Sequence, residues 1–151
     1  MQHFDRDYAE KLRQRLKAIQ SDQRPQWGDL QPAALIGHLT WMLKHAMGKS
    51  TKVPDYSTWF TRSLMKPLLL KGIIPIPKNQ ALPASLEKQG IRTIEPGDLE
   101  SFQALMEEYL RRIQDDELTP APHPYLGEMT IDEWDRFHIL HFEHHLRQFK
   151  V

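Results

Sequence analysis

Near the start of the chain, Phe4, Tyr8, Leu12, Leu16 and Ile19 recur at steps of four and three, with polar residues between them. That spacing places them on one face of a 3.6-residue turn and predicts a helix from Phe4 to about Gln20. The stretch SDQRPQWGD interrupts the pattern with Pro25 and Gly28. A second helix is expected from Asp29, as N-cap, to about Met47, with Pro32 tolerated in its first turn and Gly48 suited to the position after its end. Leu35, Leu39, Met42 and Ala46 form its apolar stripe, and His38 falls on the edge of that stripe.

The middle of the chain is less regular. Trp59, Phe60, Leu64, Leu68 and Leu69 predict a third helix, capped by Ser57 or Thr58 and bent by Pro67. Between Gly72 and Pro83 the prolines at 75, 77 and 83 favour an extended connection. A fourth helix is expected over about Asp98 to Gln114, with Leu99, Phe102, Leu105, Met106, Tyr109, Leu110 and Ile113 on its buried face. TPAPHPYLGE reads as a rigid loop. Thr130-Ile131-Asp132-Glu133 then has the form of a capping box and opens a last helix that runs to about Phe149. No segment alternates as a half-buried strand does. Four long amphipathic helices and one long crossover make an all-α four-helix bundle, a single domain over residues 1–151, the expected architecture.

Charge and composition narrow the function. The 20 basic and 20 acidic side chains cancel, which argues against a nucleic-acid partner and against a polybasic membrane anchor. The first residues carry no apolar signal core, and the most apolar stretch, Leu64 to Pro77, is broken by lysines, a glycine and prolines. A cytoplasmic location is the resulting expectation. Cysteine is absent, so disulfides, thiolate metal sites and a cysteine nucleophile are excluded.

Histidine is then the residue type left to carry chemistry. Eight occur, four of them between positions 138 and 145. On the last helix Ile131, Trp134, Phe142, Leu146 and Phe149 mark the core face, with His138 and His145 near its centre and His141 at its flank. His144 points well away and Glu143 is nearly opposite. His141 and His145, at i and i+4, present imidazoles from successive turns, the spacing at which two helical histidines bind one metal ion. His38 on the second helix is available as a third nitrogen donor, and three such donors with an open position match a catalytic zinc site. Each of these histidines also has a plainer reading as a core residue with one hydrogen-bond partner. His45, two turns after His38, could reach the same cavity; His123, between two prolines, could project over it or pack at the surface. Trp41 and Trp134 read as core, or as a wall of the pocket. Arg147 and Gln148 read as anchors of the helix end. HExxH, repeated Glu-x-x-His, a G-x-S-x-G elbow and phosphate-cradling glycine loops are all absent.

Trp27-Gly28-x-Leu30-x-Pro32, then Gly37-His38-Leu39, then His141-x-x-His144-His145-Leu146-Arg147-Gln148 resemble the motifs of the DinB/YfiT superfamily. His123-Pro124-Tyr125-Leu126-Gly127 through Phe149 more narrowly resembles its DUF1569 branch. The resemblance covers both ends of the chain; the middle matches only in helix content and prolines. It implies a four-helix bundle, often a homodimer, with a divalent metal ion, zinc or nickel, held by His38, His141 and His145. His144 takes the place of the extra histidine of the family's pair, usually outside the metal shell. His138 departs from the pattern and could replace His141 or act as a pocket base. The activity implied is that of a metal-dependent enzyme, a small-thiol S-transferase or a hydrolase, with a small-molecule substrate that includes a low-molecular-weight thiol. The alternative is a non-catalytic binding or stress-response module with a structural metal or none.

Overall fold

The computed structural model describes residues 2–50, 53–78 and 96–151, and these are all-helical, with five α-helices and no strand. Helix α1 spans Arg6–Lys17, α2 Pro32–Ala46, α3 Lys66–Leu70, α4 Leu99–Gln114 and α5 Ile131–Gln148. A π-helical turn, Thr61–Met65, leads directly into α3.

Three of the five helices, α1, α4 and α5, start where a side chain satisfies a free N–H group. Asp5 caps α1 by accepting from the Tyr8 amide, and Asp98 caps α4 by accepting from the Ser101 amide. Phe4 therefore lies ahead of α1, yet its ring is buried against Tyr109 and Phe142. The capping box of α5 is present in full, with Thr130 bonding the Glu133 amide and Glu133 reaching back to Thr130. Helix α2 differs from the sequence expectation. Its N-cap is Gln31, without a side-chain bond, and Asp29 takes no part. Proline at position 32 explains this: the residue before a proline is pushed into extended geometry, as Gln31 is, and the proline ring suits the first helical position. At the other end Gly48 adopts φ +70° and its amide bonds the His45 carbonyl.

The third helical segment is also more particular than a bent helix. Thr58 and Thr61 exchange side-chain and amide bonds at its start, so Thr58 rather than Ser57 is the cap. The Lys66 amide bonds Thr61, five residues back, immediately before Pro67, whose missing N–H and bulky ring disfavour continuous α-helical bonding. Gly72 to Lys78 has no regular structure; the rest of the expected connection, with Pro83, lies outside the described residues.

The apolar faces of α1, α2, α4 and α5 meet in one core, with Leu35, Leu39, Leu43, Phe102, Tyr109, Trp134, Phe142 and Leu146 fully or almost fully buried. The loop between α1 and α2 is stitched to the end of α5, where the Gln26 amide donates to the Gln148 carbonyl and Gln23 to the carbonyl of Phe149. No helix among the described residues is long and apolar enough to cross a membrane.

Candidate metal centre

Helices α2 and α5 pack against each other so that His38, His141 and His145 point their ring nitrogens at one another. One donor atom from each lies within 4.8 Å of the other two. The Nε2 atoms of His38 and His141 are 3.0 Å apart, and those of His141 and His145 are 3.2 Å apart. Two nitrogens bound to one tetrahedral zinc ion are separated by about 3.3 Å, given Zn–N bonds of about 2.05 Å. The three rings thus sit close to ligation geometry. His141 and His145 are buried and His38 is half-buried.

Burial also sets the charge state. It lowers His38 from 6.5 to about 4, with His144 adding to the effect. It lowers His145 to about 3, where His38 adds, and Gln148 opposes, the shift. His141 is pushed well below its ordinary value by burial first and then by His145 and His38. All three are neutral at pH 7, the form in which imidazole offers a lone pair.

For His145 the tautomer follows from its surroundings. Its Nδ1 lies 2.8 Å from Oε1 of Gln148, an acceptor, so Nδ1 carries the hydrogen and Nε2 the lone pair. The amide of Gln148 is itself oriented, because its nitrogen donates to the Trp27 carbonyl at 2.8 Å. Gln148 is therefore more than an anchor of the helix end: it links the α1–α2 loop to the ring that faces His141. This support was missed in the sequence, although Gln148 is three residues after His145 and so adjacent to it on the helix. Glu143 faces elsewhere, as expected, accepting from the Tyr8 hydroxyl and pairing with Arg15 at 2.8 Å.

The remaining histidines fall outside the trio. His144 is buried rather than solvent-facing; its ring packs edge-on against Trp27 at 5.4 Å. His45 bridges Ser50 and the Pro122 carbonyl and stacks on Trp41, a cross-link rather than a pocket residue. His123 neither overhangs the trio nor packs at the surface. It is buried against Phe137 and Trp134, its Nδ1 accepts from the amides of Tyr125 and Leu126, and its backbone pairs with Gly127 in both directions. His138 is fully buried, stacked between Trp134 and Phe142, and neither of its ring nitrogens has a partner among the described residues. It is His141, not His138, that meets His38 and His145. The ring contacts of Trp41 and Trp134 are to His45, His123, Phe137 and His138, none of them in the trio.

Position 97 matters for the same site. A Cβ there would lie 2.7 Å from the Gly37 nitrogen and 2.8 Å from the Ile36 carbonyl carbon, both rigid backbone. The Gly97 amide also donates to the Ala33 carbonyl, so the chain entering α4 is pressed onto α2 beside His38. Gly97→Ala is expected to destabilise by about 1–3 kcal/mol, since a methyl group inserted into packed backbone forces a shift. Thermal unfolding should show this as a fall in Tm of at least a few degrees, and an unchanged melt would mean that the close approach is relieved without cost.

An all-helical protein with three buried or half-buried imidazoles gathered at ligation distance is what the fold and the site define. The family model described as "Protein of unknown function (DUF1569)" matches residues 3–151, and the chain belongs to that family. No curated protein and no solved structure matches it.

Proposed function

We propose that the chain is a divalent-metal protein of the DinB/YfiT-like four-helix-bundle type, with zinc or nickel held by His38, His141 and His145, and that it is a metal-dependent small-thiol S-transferase or hydrolase. The observation that carries this reading is the convergence of three Nε2 atoms from α2 and α5, with neighbouring separations of 3.0 and 3.2 Å. Three neutral imidazoles suit a borderline ion such as zinc or nickel better than a hard one such as magnesium.

When bound, the ion would supply Lewis acidity toward a thiol or a polarised substrate atom. The protein's part is to hold His145 in one tautomer through Gln148 and to keep all three rings neutral by burial. Cysteine is absent from the chain, so thiol chemistry requires a thiol cosubstrate.

The test is elemental analysis of untagged protein, followed by cobalt substitution and titration with a small thiol. About one divalent ion per chain, and a cobalt spectrum that changes on thiol addition, are the expected results. A stoichiometric ion whose cobalt spectrum ignores saturating thiol and hydroxamate would instead indicate a structural metal in a non-catalytic module.

A further inference from the structure

The large apolar side chains exposed among the described residues all fall in one stretch: Trp59 is 75% exposed, Phe60 51%, Leu64 46% and Ile73 64%. A helix covering a core normally turns polar residues outward. This segment turns apolar ones outward while Leu69 is buried beneath it. The same stretch is one-sided in charge. Between Tyr56 and Lys78 there are four basic residues, Arg62, Lys66, Lys71 and Lys78, and no aspartate or glutamate; Asp55, just ahead of it, interacts with Arg62, and Lys66 pairs with Glu133. The whole-chain charge balance hides this local excess.

The platform under the exposed rings is held firmly. The Tyr56 amide donates to the Pro124 carbonyl, Lys66 bonds the Glu128 carbonyl and Glu133, and Arg136 donates to the Leu70 carbonyl. Phe60 and Leu64 are one turn apart, and Ile73 lies beyond the end of α3, where its amide bonds the Leu68 carbonyl. Arg62 and Lys71 are exposed in the same stretch, whereas the Lys78 ammonium lies 4.3 Å from the centre of the Trp27 ring.

We propose that this face, Trp59 to Ile73, docks on an anionic lipid surface. The charge pattern decides between occupants. A two-fold contact with a second copy would lay this net-basic stretch against itself, because the same patch faces its own image in such an interface. An anionic bilayer offers opposite charge to Arg62 and Lys71, each strengthening binding about fivefold near the surface. Projecting indole, phenyl and aliphatic groups suit the boundary between headgroups and acyl chains, which deforms around them and needs no preformed groove. The contact is peripheral, since no helix among the described residues is long and apolar enough to span.

The experiment is co-sedimentation of the full chain with phosphatidylcholine vesicles, with and without about one-third phosphatidylserine, near 0.1 M salt. Binding to the anionic vesicles should exceed binding to the neutral ones by about tenfold or more and weaken sharply toward 0.5 M salt. Trp59→Ser with Phe60→Ser should reduce it by about tenfold or more at an unchanged Tm, because both rings are exposed in the wild type. Lys71→Gln, which removes one exposed charge, should reduce it by about fivefold. Absence of sedimentation, or equal sedimentation of wild type and the Ser variants, overturns the proposal. So does a wild-type dimer that the Ser variants split into monomers, which would assign the face to a second copy, or binding of an acidic peptide in place of vesicles.

Discussion

Taking the metal-free protein from pH 7.5 to 5.5 is expected to remove about 3 kcal/mol of folding stability through His123 and His138 alone. Burial lowers each from 6.5 to about 3, with His45 adding to the shift at His123 and His123 adding to that at His138. A histidine whose folded value lies below its unfolded one takes up its proton more readily in the unfolded chain. The stabilisation is therefore complete well above pH 6.5 and is lost as pH falls toward the folded value, at about 1.4 kcal/mol per unit per group. Asp135 works the other way. Burial raises it to about 6 against the bond from the Tyr109 hydroxyl, so it gains a proton in the folded state first and offsets less than about 1 kcal/mol. His38, His141 and His145 add losses of the same sign as the first pair. Urea unfolding at the two pH values measures the sum. His138→Phe keeps an aromatic ring between Trp134 and Phe142 and should remove about half of the loss assigned to the first pair. A pH dependence identical to that of the wild type would show that His138 is not the group being titrated.

Replacing His145 by Ala is expected to weaken divalent-ion binding by far more than about 100-fold, because even outer partners of metal-bound histidines are worth about 10- to 100-fold. His38→Ala should do the same with less disturbance of the core, since His38 is the least buried of the three. Gln148→Leu provides the graded case. It leaves all three imidazoles in place but removes the acceptor that keeps the hydrogen on Nδ1 of His145, so a loss of about 10- to 100-fold is expected, with full occupancy recovered at high metal concentration. Competition with a chromophoric chelator gives all three affinities. Wild-type affinity in the His38→Ala protein would remove that ring from the proposed ligand set.

The helices and the His141–His145 pair were legible because both obey a period, whereas His38 was joined to the pair by the Gly37-His38-Leu39 resemblance. Heptad-like spacing exposed the apolar faces of α1, α4 and α5, and the i, i+4 interval paired His141 with His145. Elements governed by contacts distant in sequence were not legible. The start of α2 is a separate, local case: Asp29 was read as the N-cap, and Pro32 instead sets the start at Gln31. His144 points well away from the core face on a helical wheel of α5 alone, yet it is buried, with the Trp27 ring edge-on against it. His45 and His123 were open questions because their partners, the Pro122 carbonyl and the amides of Tyr125 and Leu126, belong to a proline-rich loop without periodicity. Gln148 and Gly97 carry no motif; their roles come from the Trp27 carbonyl and the α2 backbone that tertiary structure brings against them.

The π-helical turn at Thr61–Met65 closes its backbone bond over five residues where an α-helical turn needs four. Removing one residue there would rotate everything on its N-terminal side by about 100° around the axis, with Pro67 still leaving one backbone bond unmade. Trp59 and Phe60 would then lose the azimuth that keeps them outside the protein. Chain length at this one turn, rather than the chemistry of the two rings, fixes which way they face, so a single-residue deletion would move them where a substitution could not.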